Sequence, residues 1–92
     1  MDIDRLAAAV AAHETCNCTC GTADRNNCMG IRRGGAFAIY SSKESSYEHF
    51  KRIWGDPDGY YRGAYPTIGL ARKYSGNDRA EDWLRNVTSM LD

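Results

Sequence analysis

The sequence predicts a single, mainly α-helical domain over residues 1–92, with about four helices and one short loop-and-strand flap between the first two. Three observations predict this. The 92 residues are 42% apolar and 26% charged, the balance of one small globular domain rather than of a disordered chain. Apolar residues recur with a 3.6-residue period in several separate segments. Stretches rich in Gly, Asn, Pro and Cys divide those segments. No internal repeat, low-complexity tract or interdomain linker interrupts the pattern.

The first segment, Ile3 to His13, reads as a helix. Its alanines are strong helix formers, and Ile3, Leu6, Ala7 and Val10 fall on one face. Asp2 and Asp4 suit its N-terminus. Residues 15 to 35 read as a loop, and Ala36 to Tyr40 as a short strand-like run. Ser41 with Glu44 forms an S-x-x-E capping box that opens a second helix, running to about Trp54. Tyr47, Phe50 and Trp54 make its apolar face. Gly55-Asp56-Pro57-Asp58-Gly59 is turn chemistry. Pro66 fits the first position of a third helix that ends near Tyr74. A fourth follows Ser75-Gly76-Asn77, with Asn77 or Asp78 as cap, Glu81 near N3, and a buried face of Ala80, Trp83, Leu84, Val87 and Leu91.

Charge and cysteines narrow the function classes. Twelve basic and twelve acidic residues balance to zero, which argues against an electrostatic grip on nucleic acid or on an anionic membrane. No apolar run is long enough to span a bilayer. The first residues, Met1-Asp2-Ile3-Asp4-Arg5, do not form a signal-peptide n-region. The four cysteines stand at 16, 18, 20 and 28. Cys18 with Cys28 and Cys16 with Cys20 are workable bridges, Cys16 with Cys18 is a poor one, and all three connectivities stay open. A four-cysteine zinc site is the rival, but C-x-C-x-C does not match paired zinc knuckles, so no metal and no cofactor is expected.

Glu14 is the most informative residue. It follows Val10 by four positions and Ala7 by seven, so it lies on the apolar face at the C-terminal end of the first helix. Desolvation and the negative end of the helix dipole both raise a carboxyl pKa there. A carboxylic acid that stays protonated near neutral pH is what a glycosidic general acid requires. The plain alternative is an interfacial Glu that turns to solvent or pairs with Arg32 or Arg33. His13 points about 100° away on the helix and suits a structural or capping role.

Three blocks together resemble the glucosaminidase branch of the lysozyme-like superfamily: His13-Glu14-Thr15, then Asn26-Asn27-Cys28-Met29-Gly30-Ile31-Arg32, then Phe37-Ala38-Ile39-Tyr40-Ser41-Ser42-Lys43-Glu44-Ser45. Small phage and environmental bacterial domains of that type carry the same order, and the likeness runs from about Leu6 to Val87. The resemblance implies a small lysozyme-like fold that cleaves the glycan strands of peptidoglycan, as a glucosaminidase, muramidase or lytic transglycosylase. It implies Glu14 as catalytic acid, Asn27, Gly30 and Ile31 beside it in the cleft, and Tyr40 as the strand-end aromatic. Ala71-Arg72-Lys73-Tyr74-Ser75-Gly76-Asn77 is similar to the tyrosine-bearing turn that faces the acid in lytic transglycosylases. That assigns Tyr74 as the second catalytic residue, with Tyr65 as the other candidate. Thr15-Cys16 replaces the family's usual Ser-Gly. The short chain implies a cleft that lacks a wall or several subsites.

A second carboxylate is less evident. Asp24 lies in the loop after the first helix, Glu44 is a capping residue, Glu48 shares its helix, and Asp56 and Asp58 form a turn. A lytic mechanism needs only Glu14, which protonates the leaving oxygen and then assists ring closure by the sugar's 6-hydroxyl. Trp54 and Trp83 belong to the core, whereas Tyr60, Tyr61 and Tyr65 sit in a Gly-rich loop where both ligand contact and surface packing fit. Arg32-Arg33 and Lys51-Arg52 read as solvated basic pairs with a modest role in holding an acidic polymer. A Cys18–Cys28 bridge would tie the first helix to the Asn27–Ile31 segment and hold Glu14 in place. Two rivals stand beside the enzyme: a non-catalytic glycan-binding module on the same fold, and a metal-stabilised interaction domain built on the four cysteines. The expected setting is extracytoplasmic or virion-associated, and the neutral charge favours delivery as part of a larger assembly.

Overall fold

In a computed structural model covering residues 1–92, the chain forms four α-helices and one small hairpin. Helix α1 spans Ile3–Thr15, α2 Lys43–Gly55, α3 Ile68–Ser75 and α4 Ala80–Leu91; strands β1, Arg32–Arg33, and β2, Ala36–Phe37, pair antiparallel. A 3-10 helix, Gly21–Arg25, lies in the loop after α1. No helix is long and apolar enough to cross a membrane.

Each boundary has a local cause. The Asp2 carboxylate accepts from the Asp4 and Arg5 amides and starts α1. The helix ends two residues beyond His13, where Cys16 turns left-handed and its N–H reaches the Ala11 carbonyl. The capping box expected at Ser41 and Glu44 is displaced by one residue. Ser42 is the cap, and its hydroxyl accepts from the Ser45 amide at 3.1 Å. Pro66 does not open α3; Thr67 caps it, accepting from the Leu70 amide. Neither Asn77 nor Asp78 caps α4, whose first flanking residue is Arg79, with no side-chain cap. Of the run from Ala36 to Tyr40 only Ala36–Phe37 pairs, turned by Gly34 and Gly35, both at positive φ. The Ala38 amide extends the pairing to the Ile31 carbonyl at 2.9 Å.

Helix α1 packs on α2 and α4, and α3 packs on α4. Leu6, Val10, Phe50, Trp54, Trp83 and Val87 are fully buried between them. Both tryptophans are therefore core residues, as their helical positions predict. Of the expected α4 face, Ala80, Trp83 and Val87 are buried, while Leu84 and Leu91 pack at its margin. Trp54 is the hub of an aromatic cluster. Its ring stacks on Tyr61 at 4.3 Å and lies 6.0 Å from Trp83, and its indole N–H donates to the Ala64 carbonyl.

All four cysteines are oxidised, as Cys16–Cys20 and Cys18–Cys28. This selects one of the three connectivities. Paired in this way, the four sulfurs leave no free thiol in the structure.

Candidate active site

Glu14 stands at the last turn of α1, facing a cleft of about 980 Å³. Three pieces of chain fix that turn against its neighbours. The Cys18–Cys28 bridge joins the segment after α1 to the Asn27–Ile31 stretch. The buried Thr15 hydroxyl donates to the Cys28 carbonyl at 2.7 Å and accepts from the Cys18 amide. The Cys28 amide in turn donates to Ser46 of α2 at 3.1 Å. Thr15 thus clamps the helix end.

Asn27 is fully buried and completely satisfied. Its amide donates to the Ile31 and Ala38 carbonyls at 2.8 and 3.0 Å, and its oxygen accepts from the Ile31 amide. It shapes the tight loop that places Gly30 against the acid. Gly30 adopts a φ of +68°, and a Cβ there would lie 3.0 Å from Glu14 Oε2. Gly30 is thus required twice, for its left-handed backbone and for its missing side chain.

The Glu14 carboxylate has no ion pair and no hydrogen-bond partner, so the expected alternative of pairing with Arg32 or Arg33 is not the arrangement found. Burial pushes its pKa above the ordinary carboxylate value, and the positive charges of Arg79 and Arg32 pull the other way. Tyr74 lines the same cleft, and its hydroxyl donates to the Met29 carbonyl at 2.6 Å. Burial and the Glu14 charge hold that phenol well above its usual pKa, so it acts as a neutral donor and not as a base.

The other sequence-selected residues divide. Ile31 lines the cleft. Tyr40 stands outside its lining and bonds His49 Nδ1 at 2.5 Å. Tyr65 also stands outside, and its hydroxyl donates to Asp92 at 2.8 Å. Among the loop tyrosines, Tyr60 is exposed beneath the Lys73 ammonium, while Tyr61 is buried on Trp54 with its pKa pushed up to about 12. Asp24 is the one other carboxylate on the cleft wall. Glu48 pairs with Lys51, and the Asp56 carboxylate accepts from the Asp58 amide, as turn residues do.

Several cleft residues were not singled out as site residues in the sequence. His13 lies on the wall, its ring against Asn86 at 3.3 Å. Trp83 forms part of the floor, and its buried indole N–H has no acceptor. Arg25, Lys73 and Arg79 join Arg32 around the opening. Arg79 carried a readable signal, because a cation beside a helix N-terminus is disfavoured by the helix dipole.

No protein-family model matches this chain, and neither does any curated protein or solved structure.

Proposed function

We propose that this domain cleaves the glycan strands of peptidoglycan, with Glu14 as general acid, and that it is a small lysozyme-like peptidoglycan glycosidase. One observation carries the reading. Glu14 faces the cleft unpaired, against a glycine that leaves it room, and burial raises its pKa. A carboxyl with a raised pKa beside an open cleft suits the role of donating the proton that a departing sugar oxygen needs.

In this mechanism Glu14 transfers its proton to the glycosidic oxygen as the C1–O bond breaks. The resulting carboxylate then takes a proton from the hydroxyl that closes on C1, either water or the sugar's own 6-hydroxyl. Tyr74, neutral and fixed by Met29, borders the acid. The order of the three sequence blocks supports the family reading. The two disulfides suit an oxidising, extracytoplasmic setting.

Digestion of purified peptidoglycan by the wild type and by Glu14→Gln, with mass spectrometry of the products, tests the proposal. Products from the wild type alone are expected. The new reducing end names the bond, and a product lighter by one water identifies ring closure by the sugar. Absence of products from a folded wild type refutes the enzyme and leaves the glycan-binding module.

A further inference from the structure

Charge is distributed unevenly over this chain. Basic and acidic residues balance over the whole sequence. In the cleft, however, Arg25, Arg32, Lys73 and Arg79 face only Glu14 and Asp24. The four cations arrive from four places: the 3-10 helix, β1, the last turn of α3 and the residue before α4. None of them takes part in an ion pair; the ion pairs of the chain use Lys51 and Arg85. The Arg32 guanidinium lies 4.5 Å above the Phe37 ring, which orients it without neutralising it. Isolated solvated cations need no partner. Four that converge on one concavity repel each other, and an anion placed among them removes that repulsion.

Arg79 and Arg32 are also the two charges that act on Glu14. Both line the same cleft as the acid.

We infer that the cleft selects a glycan carrying a carboxylate beside the bond to be cut, and that Arg32 and Arg79 bind that carboxylate. This rests on the reading of Glu14 as the acid. Peptidoglycan offers such a group from two sources: the lactyl ether of muramic acid, free where the peptide has been removed, and the peptide stem itself. A neutral oligomer of N-acetylglucosamine offers neither. A carboxylate bound there would also offset the two charges that lower the Glu14 pKa.

The test uses the Glu14→Gln protein, titrated by calorimetry with three probes: N-acetylglucosamine hexamer, strands stripped of peptide by an amidase, and strands with their stems. A carboxylate-bearing strand is expected to bind about tenfold tighter than the neutral hexamer, the worth of one charge-assisted contact. Whichever strand is tighter identifies the source. That advantage is expected to vanish in about 0.5 M salt. It is also expected to vanish when Arg32→Gln and Arg79→Gln are added, and to survive Arg85→Gln, which removes a cation paired with exposed Asp82. Equal affinity for all probes, binding of none, or a preference that survives the double substitution overturns the inference. Wild-type cleavage of the same probes separates the two readings. Cleavage without preference leaves Glu14 as the acid and removes the carboxylate site. Charge-dependent binding without cleavage removes the acid and leaves the carboxylate site.

Discussion

Alanine at Gly30 separates two demands that the fold makes on one position. The backbone there has a φ of +68°, which costs an L-residue roughly 1–2 kcal/mol. In a domain of this size that lowers Tm by roughly 4–8 °C for each kcal/mol. The added Cβ would also stand 3.0 Å from Glu14 Oε2 and 3.2 Å from its Cδ, so the carboxyl must move by a few tenths of an ångström. Displacement of about 1 Å at a reacting group can cost a hundredfold, so a loss of about tenfold in kcat/KM is expected. Gly34→Ala is the control. Its φ is +60°, and nothing lies within 4 Å of the added Cβ. Both variants should lose similar stability by thermal unfolding, but only Gly30→Ala should lose muropeptide release in proportion beyond its unfolded fraction. Equal activity in the two folded variants would refute the claim that the glycine positions the acid.

Further outcomes follow from the same geometry. Cleavage should decline as pH rises through the raised Glu14 pKa, because only the protonated form donates. Arg79→Gln should move that alkaline limb to higher pH, since it removes a charge that favours ionisation; a kinetic pH profile reads both. Glu14→Gln should be more stable than the wild type at neutral pH. A carboxyl whose folded pKa lies above its unfolded one loses stability as pH rises between the two values, and glutamine carries no such penalty. Denaturant unfolding at neutral and at acidic pH should show that gap closing as pH falls below the ordinary carboxylate range. Replacing Cys18 and Cys28 with serine opens a crosslink with a sequence separation of 10 and should cost about 3 kcal/mol. The same change at Cys16 and Cys20, with a separation of 4, should cost about 2 kcal/mol and leave more activity, because Cys28 supports the segment that carries Gly30.

Much of this molecule was readable from periodicity. Trp54 and Trp83 fall on apolar helical faces and are buried as expected. Glu14 stands at the cleft because seven and four residues earlier Ala7 and Val10 define the buried side of α1. The helix starts were less readable, because adjacent residues compete for one role. Ser41 and Ser42 both offer a hydroxyl, and the second wins the amide of Ser45. Pro66 and Thr67 both signal a start, and the threonine cap prevails over the proline rule. The cationic opening was hardest to read. Arg25, Arg32, Lys73 and Arg79 are far apart in sequence and meet only through tertiary packing. Trp83 shows why a single role is too few for a residue: it is fully buried in the core and also borders the cleft.

The placement of the two tryptophans gives this protein a built-in optical probe. Both indoles lie within one aromatic cluster, fully shielded from water, so native emission should be blue and unfolding should shift it red. Trp83 borders the cleft, and its N–H has no acceptor. Under the proposed function, a glycan in the cleft is expected to alter the surroundings of that ring, so a change in intrinsic fluorescence on titration would report occupancy without a label.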